Sequence, residues 1–566
     1  MPSDSMCSPP RTVCRAMFRA LAFSSWFFAL PLGLGVLAPA EAAQAVATPA
    51  KAAMQPVPIP LSALVPHPQA LMLQVEQAPF VLNAQVLVQS SEVFSGPARS
   101  LAQSLGLRRL PAGEALATGA RRIRFEQQSL DSKVSGAYRL KIGGDEILIQ
   151  AAEASGAFYA TQTLLQLLPQ EAKRTLSAGR FELPAADISD APRFEWRGIM
   201  LDVARHFHDV KRVKGVIDQM ALYKLNRLHL HLSDDQGWRL SITAYPKLSK
   251  VGGRGDHSRP DAPAQFYSAE DIRSIVRYAA ERYIEVVPEI DMPGHSGAAA
   301  RAYPAYFDGL VTFNPAKPET YRFIDTVLGE LAALFPGRYI HFGGDEVWAE
   351  KTRWAQMPEV LAMAQDLTPA GQAPQMKFVE AEFARRMVQL IRKHQRVPIA
   401  WDEVIAAGLR EGMVVQWWRM DHPEAVLTAL NQGQSVILSP SDRMYLDYAA
   451  GLGEPGAPWE GNTGGPVSVE KIVAWEPMPE GLSEAQRQRV LGIEAPLWTE
   501  NVRSESYLQF MLYPRMAAVA EVAWRQRANS SPAAFVKRLA PHIQRWKAQG
   551  LNVRGSLEDA HRYRLH

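Results

Sequence analysis

At 566 residues the chain is longer than one ordinary hydrophobic core supports, so two or three domains are expected. Hydrophobic residues make up 47% and charged residues 21%, a globular composition that excludes long disorder. The formal net charge of +3 is small for this length, and no basic stretch is interleaved with aromatics; nucleic acid and anionic surfaces are therefore not expected as partners.

Arg11, Arg15 and Arg19 precede an apolar run from Leu21 to Leu37, interrupted by Ser24, Ser25, Pro31, Gly33 and Gly35. Small residues then stand at Ala40 and Ala42, the order of a secretory signal peptide cleaved near Ala43, with Met17 an alternative start. A membrane anchor is the competing reading, but the proline and glycines weaken a spanning helix and no second apolar stretch follows. The expected setting is periplasmic or extracellular, with no membrane association after cleavage. Both cysteines, Cys7 and Cys14, fall inside this segment, so no disulfide or thiolate site is expected in the mature chain.

Residues 44–60, rich in Ala, Pro, Gln and Val, read as a flexible leader. From 61 to 190 the pattern is that of a small α/β domain. Gly136–Ile142 and Glu146–Gln150 read as strands around the turn Gly143-Gly144-Asp145, and Ala157–Leu168 as an apolar-faced helix. From 191 to 548 strands and helices alternate. The expected strands are Gly198–Val203, Arg227–Ser233, Tyr283–Ile290, Tyr339–Gly343, Pro398–Asp402, Met413–Trp417, Ser435–Ser439 and Leu491–Leu497. Intervening helices are expected at Val213–Tyr223, Ala269–Arg282, Tyr321–Phe335 and Lys377–His394. This rhythm fits a (β/α)8 barrel, whose sites form at the C-terminal strand ends; a doubly wound sheet is the alternative, but no glycine-rich dinucleotide fingerprint follows the first strand. Phe535, Leu539, Ile543 and Trp546 fall near helical spacing in a segment expected to pack on the barrel, before a tail from 549 to 566.

The segment most suited to chemistry is His341-Phe-Gly-Gly-Asp-Glu-Val. An apolar strand runs into two glycines and then two adjacent carboxylates, Asp345 and Glu346. Neighbours on a strand point to opposite faces, whereas glycines let the chain leave strand geometry and aim both groups at one place. A solvated acidic loop is the bland reading, and the apolar strand and its placement at a barrel strand end argue against it.

This segment resembles the family 20 glycoside hydrolases, the β-N-acetylhexosaminidases, and seven further motifs follow the family's order. They are Trp196-Arg-Gly-Ile-Met-Leu-Asp-Val-Ala-Arg, His229-Leu-His-Leu-Ser-Asp-Asp-Gln-Gly-Trp-Arg, Pro288-Glu-Ile-Asp-Met-Pro-Gly-His, Trp401-Asp-Glu, Gln416-Trp-Trp-Arg, Tyr445-Leu-Asp and Gly492-Ile-Glu-Ala-Pro-Leu-Trp-Thr-Glu. The region Gly136–Leu168 is similar to the family's small N-terminal domain. The resemblance implies hydrolysis of terminal β-linked N-acetylglucosamine or N-acetylgalactosamine without a cofactor, the substrate's acetamido oxygen replacing the usual carboxylate nucleophile.

By the same resemblance Glu346 is the general acid and base, and Asp345 holds the acetamido N–H. Asp234 or Asp235, with His295, forms a relay to Glu346, and Asp291 belongs to the same motif. Arg197 clamps sugar hydroxyls with Asp447 and Glu500, and Tyr445 donates to the acetamido carbonyl. Trp401, Trp418 and Trp498 wall the sugar, and Trp475 walls a site beyond them. Each has a structural alternative: core packing for the tryptophans, a salt bridge inside the barrel for Arg197. His229 with His231, and His206 with His208, alternate on strand faces as metal ligands can, but buried hydrogen-bonded histidines are the favoured reading and no metal is expected. A sugar-binding protein that keeps the barrel without catalysis is the alternative of another class, disfavoured because both carboxylates are present. Release of a disaccharide is the nearer rival.

Overall fold

A computed structural model describes residues 59–554, apart from the stretches 112–113, 115–116, 118, 131, 133, 170–171, 173–175, 178, 348–350, 409–411, 458–464 and 527–530. The expected signal segment, both cysteines, nearly all of the leader and most of the tail lie outside the described residues.

The small domain is built on a seven-stranded sheet. Its strands are β1 (Ala70–Leu73), β3 (Leu87–Ser90), β4 (Arg108–Leu110), β5 (Arg122–Gln127), β6 (Tyr138–Gly143), β7 (Glu146–Ala151) and β9 (Ala186–Asp190), in the order β1-β9-β6-β7-β5-β3-β4. A two-stranded ribbon, β2 (Phe80–Asn83) with β8 (Arg180–Leu183), accompanies it. Alternating burial along β6 and β7 gives the sheet one apolar face, and helices Ser95–Leu105 and Ala154–Leu167 pack against the sheet. The second helix is buried almost all round because it also contacts the barrel helix Val210–Leu222. Gln166 on it bonds both backbone groups of Val65 and the carbonyl of Leu222.

Eight parallel strands close the barrel: β10 (Trp196–Asp202), β11 (Arg227–His231), β12 (Glu285–Glu289), β13 (Tyr339–His341), β14 (Val397–Trp401), β15 (Val414–Trp417), β16 (Ser435–Leu438) and β17 (Val490–Leu497). The fold is thus the expected (β/α)8 barrel behind a small sheet-and-helix domain. Every residue of β10 is buried, as a strand covered on both faces requires. Strand ends differ from expectation for local reasons. Tyr283 adopts φ 58°, a left-handed residue after helix Ala269–Ala280, so β12 starts later than Tyr283. β13 stops at His341 because Gly343 and Gly344, at φ 69° and 93°, turn the chain out of the sheet.

The helix Pro532–Ala548 buries Phe535, Leu539 and Trp546, as their spacing suggests, but joins both domains rather than covering the barrel alone. Arg545 donates to the carbonyls of Leu165, Gln166 and Leu168 at the C-terminal end of the small-domain helix, where a helix leaves its last carbonyls without partners of its own. His542 joins Tyr223 on the barrel side to the Ala63 carbonyl. No helix among the described residues is long and apolar enough to cross a membrane.

Candidate active site

At the C-terminal ends of the barrel strands lies a cavity of about 350 Å³ bordered by Arg205, His295, Asp345, Glu346, Trp401, Trp418, Tyr445, Asp447, Tyr448, Ala457, Trp498, Glu500 and Asn501. The two carboxylates after β13 reach it because the intervening glycines bend the chain. A Cβ at Gly343 would lie 1.7 Å from Oδ1 of Asp291, so no other residue fits that step. Glu346 itself sits at φ 52° and His295 at φ 46°, left-handed conformations that cost a non-glycine residue of order 1–3 kcal/mol and cluster at functional sites.

His295 faces both carboxylates. Its Nε2 is 3.5 Å from Asp345 Oδ2 and 3.5 Å from Glu346 Oε2, and its Nδ1 is 3.4 Å from Asp234 Oδ1. Burial opposes a charge on this imidazole, but the carboxylates of Asp234, Glu346 and Asp345 raise its pKa well above the ordinary value. Asp234 is itself held well below the carboxylate range: against its burial act Arg205, whose Nη2 is 2.7 Å from Oδ2, His295, and His231, whose Nε2 is 2.9 Å away.

The adjacent carboxylates differ. Burial, with Glu289 and Glu346 nearby, pushes Asp345 up to about 6. Glu346, with its side chain 46% exposed, is lowered, chiefly by its contact with His295. Asp447 is pushed up to about 8 by burial and by the charge of Glu500.

Around the same cavity the aromatic residues converge. Trp401 and Trp498 have ring centroids 5.9 Å apart, Trp418 stacks on Tyr445 at 6.1 Å and 11°, and Tyr445 meets Trp498 edge-on at 6.3 Å. Their polar edges are anchored: Trp401 donates to Glu289 Oε1 at 3.0 Å and Trp418 to Glu403 Oε2 at 3.1 Å. Tyr448 continues the stack beyond Tyr445.

Several expected residues lie elsewhere. Arg197, expected to clamp the sugar, is the second residue of β10 and therefore sits at the barrel's floor. It donates to the carbonyls of Phe194 and Lys224 and to the Tyr159 hydroxyl, and borders a separate cavity of about 610 Å³ between the floor and the small domain. The arginine in the candidate site is Arg205, which lies over Trp498 at 4.8 Å and 3.7 Å from Glu500 Oε1. Of the two relay candidates Asp234 meets His295, whereas Asp235 accepts from the backbone N–H of Gly297. Asp291 is buried beneath the Gly343–Gly344 turn, accepting from Gly344 at 3.3 Å, and does not border the cavity. Trp475 is also outside it, packed near Arg443.

Sequence reasoning missed Arg205, Tyr448 and Asn501. Arg205 closes the same motif that contains Arg197, and its position past the strand's C-terminal end was the usable signal. The histidines of β11 are buried and hydrogen-bonded as expected: His229 to Glu494 Oε1 at 2.8 Å, His231 to Glu289 and Asp234. His206 contacts Thr499 and Ser258, but His208, expected to be bonded, has no hydrogen-bond partner at either ring nitrogen among the described residues, and burial lowers it to about 4.

Residues 194–527 match the sequence pattern of the glycosyl hydrolase family 20 catalytic domain, and residues 61–191 that of the family's domain 2. A β-hexosaminidase of Porphyromonas gingivalis is 35% identical over 78% of this chain and 56% of its own length; one from Vibrio furnissii is 36% identical over 68% and 64%. The chain thus spans less than two thirds of either relative. The solved structure of a Vibrio harveyi exo β-N-acetylglucosaminidase in complex with N-acetylglucosamine superposes with a TM-score of 0.76 at 30% identity, covering 90% of this chain and 81% of that one. The catalytic-domain pattern alone runs through every strand of the barrel and every residue bordering the cavity, and on that ground the chain belongs to glycosyl hydrolase family 20.

Proposed function

We propose that the protein is an exo-acting β-N-acetylhexosaminidase that removes terminal β-linked N-acetylglucosamine or N-acetylgalactosamine with retention, the substrate's acetamido oxygen serving as nucleophile. The observation that carries this reading is the shared imidazole: Asp345 and Glu346 both face His295 Nε2 at 3.5 Å. As chain neighbours after one strand, they suit an acid and an acetamido contact better than an acid and a carboxylate nucleophile, which flank the scissile bond from opposite sides. A volume of about 350 Å³, at the small end for ligand pockets, suits a single N-acetylated ring.

In this mechanism the acetamido carbonyl oxygen attacks C1 while Glu346 protonates the leaving oxygen, giving an oxazolinium ion and the released alcohol. Glu346 then takes a proton from water as it attacks C1, and the ring opens to the retained product. Asp345 accepts the acetamido N–H and offsets the charge that grows on that nitrogen. Tyr445 donates to the acetamido oxygen, the tryptophans enclose its methyl group, and Arg205, Asp447 and Glu500 take the outer hydroxyls. Asp447, raised to about 8, is protonated at neutral pH and is positioned as a donor.

The protein's own groups set these two carboxyls in the opposite order to the one catalysis needs, Asp345 raised and Glu346 lowered. Substrate supplies the reversal. An N–H donated to Asp345 favours its ionised form, and a sugar covering the half-exposed Glu346 removes water and favours its protonated form. Binding thus charges the acid.

The reading is tested with a panel of β-aryl glycosides. N-acetylglucosaminides and N-acetylgalactosaminides should turn over, and plain β-glucosides with the same leaving group should not. A covalent glycosyl adduct on any Asp or Glu, trapped with a 2-deoxy-2-fluoro glycoside, would refute it. The Arg-flanked apolar run further supports export to the periplasm or the extracellular medium, which N-terminal sequencing of the native protein checks against a mature start near Ala43.

A further inference from the structure

Beneath the cavity the barrel interior is filled not by aliphatic side chains alone but by a connected set of acids and histidines. Glu289, fully buried, receives His231 Nδ1 at 2.5 Å on Oε2, with His229 Nε2 at 3.1 Å from the same oxygen. Its Oε1 takes the Trp401 indole N–H at 3.0 Å and lies 2.9 Å from His341 Nδ1. His231 in turn reaches Asp234 Oδ2 with its other nitrogen at 2.9 Å. An ionised carboxylate can only accept, so an imidazole bonded to one on each side donates from both nitrogens, which makes it a cation. The charged groups around it are Glu289 and Asp291 from the β12 side, Asp234 from its own strand end and Arg205 from the end of β10; Trp498 covers its ring edge-on at 5.0 Å.

We propose that His231 is a positioning residue for the acid: bridging Glu289 and Asp234 with one N–H to each, it fixes the Asp234 carboxylate, and through it His295, against Glu346. Glu289 is the common anchor, because its other oxygen fixes Trp401, a wall of the sugar cavity. Asp234 shows why an anchor is needed. Its Oδ1 takes the backbone N–H of Asp235 at 2.6 Å and faces His295, while Oδ2 is held by His231 and Arg205, so the carboxyl keeps Oδ1 toward His295 through partners on both oxygens. Arg205 has its own task beside Glu500, which leaves His231 as the support committed to the relay. This inference rests on the proposed function of the site and deepens it: the support of the relay begins in the barrel interior rather than at Asp234.

The two arms of Glu289 give two kinetic signatures. In His231→Gln the relay loses its support while no residue that borders the cavity is replaced. On N,N'-diacetylchitobiose, whose leaving group needs the acid, kcat should fall by about 10²-fold, the loss expected of misplaced catalytic groups, with KM nearly unchanged. An activated aryl glycoside should be affected far less. Glu289→Gln should lower kcat similarly and also raise KM, because Trp401 is released. In a double-mutant cycle, adding His231→Gln to Asp234→Asn should cost nothing more, since His231 acts only through Asp234; a merely structural lesion would add.

Equal kcat for His231→Gln and wild type on chitobiose, or full additivity with Asp234→Asn, overturns the inference while leaving the site's function intact. A wild type inert toward all β-N-acetylhexosaminides overturns the function itself. Should His231→Gln not fold, nitrogen NMR of histidine-labelled wild-type protein decides: His229 and His231 should appear as imidazoliums that do not titrate between about pH 5 and 8, and a neutral tautomer at His231 refutes the bridge.

Discussion

Asp345→Asn separates what Asp345 does for the fold from what it does for the reaction, because the amide keeps the shape and removes only the charge. Burial lifts this carboxyl from its ordinary 3.8 to about 6, so ionising it in the folded protein is unfavourable. The unfolded chain releases that proton first, and the stability attached to the protonated form is fully present below about pH 3.8 and lost as pH rises through 6. At about 1.36 kcal/mol per pH unit, the ionised carboxylate costs the neutral-pH fold on the order of 3 kcal/mol. Asparagine carries no such cost, so the variant should unfold at higher urea concentration than wild type at pH 7 and lose the advantage at pH 4. Activity should move the other way. In the proposed mechanism Asp345 places its charge beside the acetamido nitrogen, a contact like an oxyanion hole in kind, and its removal should lower kcat by roughly 10²–10³-fold. In wild type, kcat/KM should rise with pH through about 6 as Asp345 ionises, and in the variant that limb should vanish. Urea unfolding and aryl N-acetylglucosaminide kinetics across pH 4 to 8 read both effects. A variant that is less stable at pH 7, or that keeps the acidic limb near 6, would refute the reasoning.

Other perturbations test the remaining assignments. Glu346→Gln should cut turnover of chitobiose by about 10²–10⁴-fold and spare activated aryl glycosides, as loss of a general acid does; near-normal hydrolysis of the disaccharide removes Glu346 from that role. Arg205→Ala should raise KM and lower kcat on every N-acetylhexosaminide. Arg197→Ala should leave KM unchanged and instead destabilise the fold by roughly 1–3 kcal/mol for each buried acceptor left unpaired, read by thermal unfolding. His542, lowered to about 3 by burial, is neutral in the folded chain, so its contribution to stability is intact above about pH 6.5 and falls by about 1.4 kcal/mol per pH unit below it. His542→Gln should flatten that acid dependence in urea titrations at pH 5 and 7, and an unchanged slope would exclude His542 as its source.

The barrel was legible because each strand is a short apolar run ending in polar or aromatic residues, a pattern that parallel strands covered by helices impose. What the pattern does not carry is the conformation of a single boundary residue, such as the left-handed Tyr283 that delays β12. The misplaced arginine has a geometric cause. Strand β10 rises about 3.3 Å per residue, so Arg197 and the strand's last residue, Asp202, are separated by about 16 Å. An arginine side chain near one end cannot serve a site at the other. Motif membership was the same for Arg197 and Arg205; strand geometry alone distinguishes them, and it selects Arg205.

The buried network was harder to see for a different reason. Alternation on β11 sends His229 and His231 to the same face, which is visible in the sequence, but which acid each meets depends on register between strands distant in the chain. Pairing sets His231 opposite Glu289 and Glu289 opposite His341, while Glu494 arrives from the last strand. Each of these side chains alone reads as an isolated polar residue in an apolar run, an expensive choice for a barrel interior. Together they balance: anions at Glu289 and Glu494 alternate with cations at His229, raised to about 9, and His231, so that little net charge is buried. Replacing such a set with aliphatic residues would often be neutral or favourable for stability, so stability alone does not account for it. Its upper end touches Asp234 and Trp401, one leading through His295 to the proposed acid and the other to the aromatic side of the cavity, and a rigid polar interior there fixes two separate parts of one site from below.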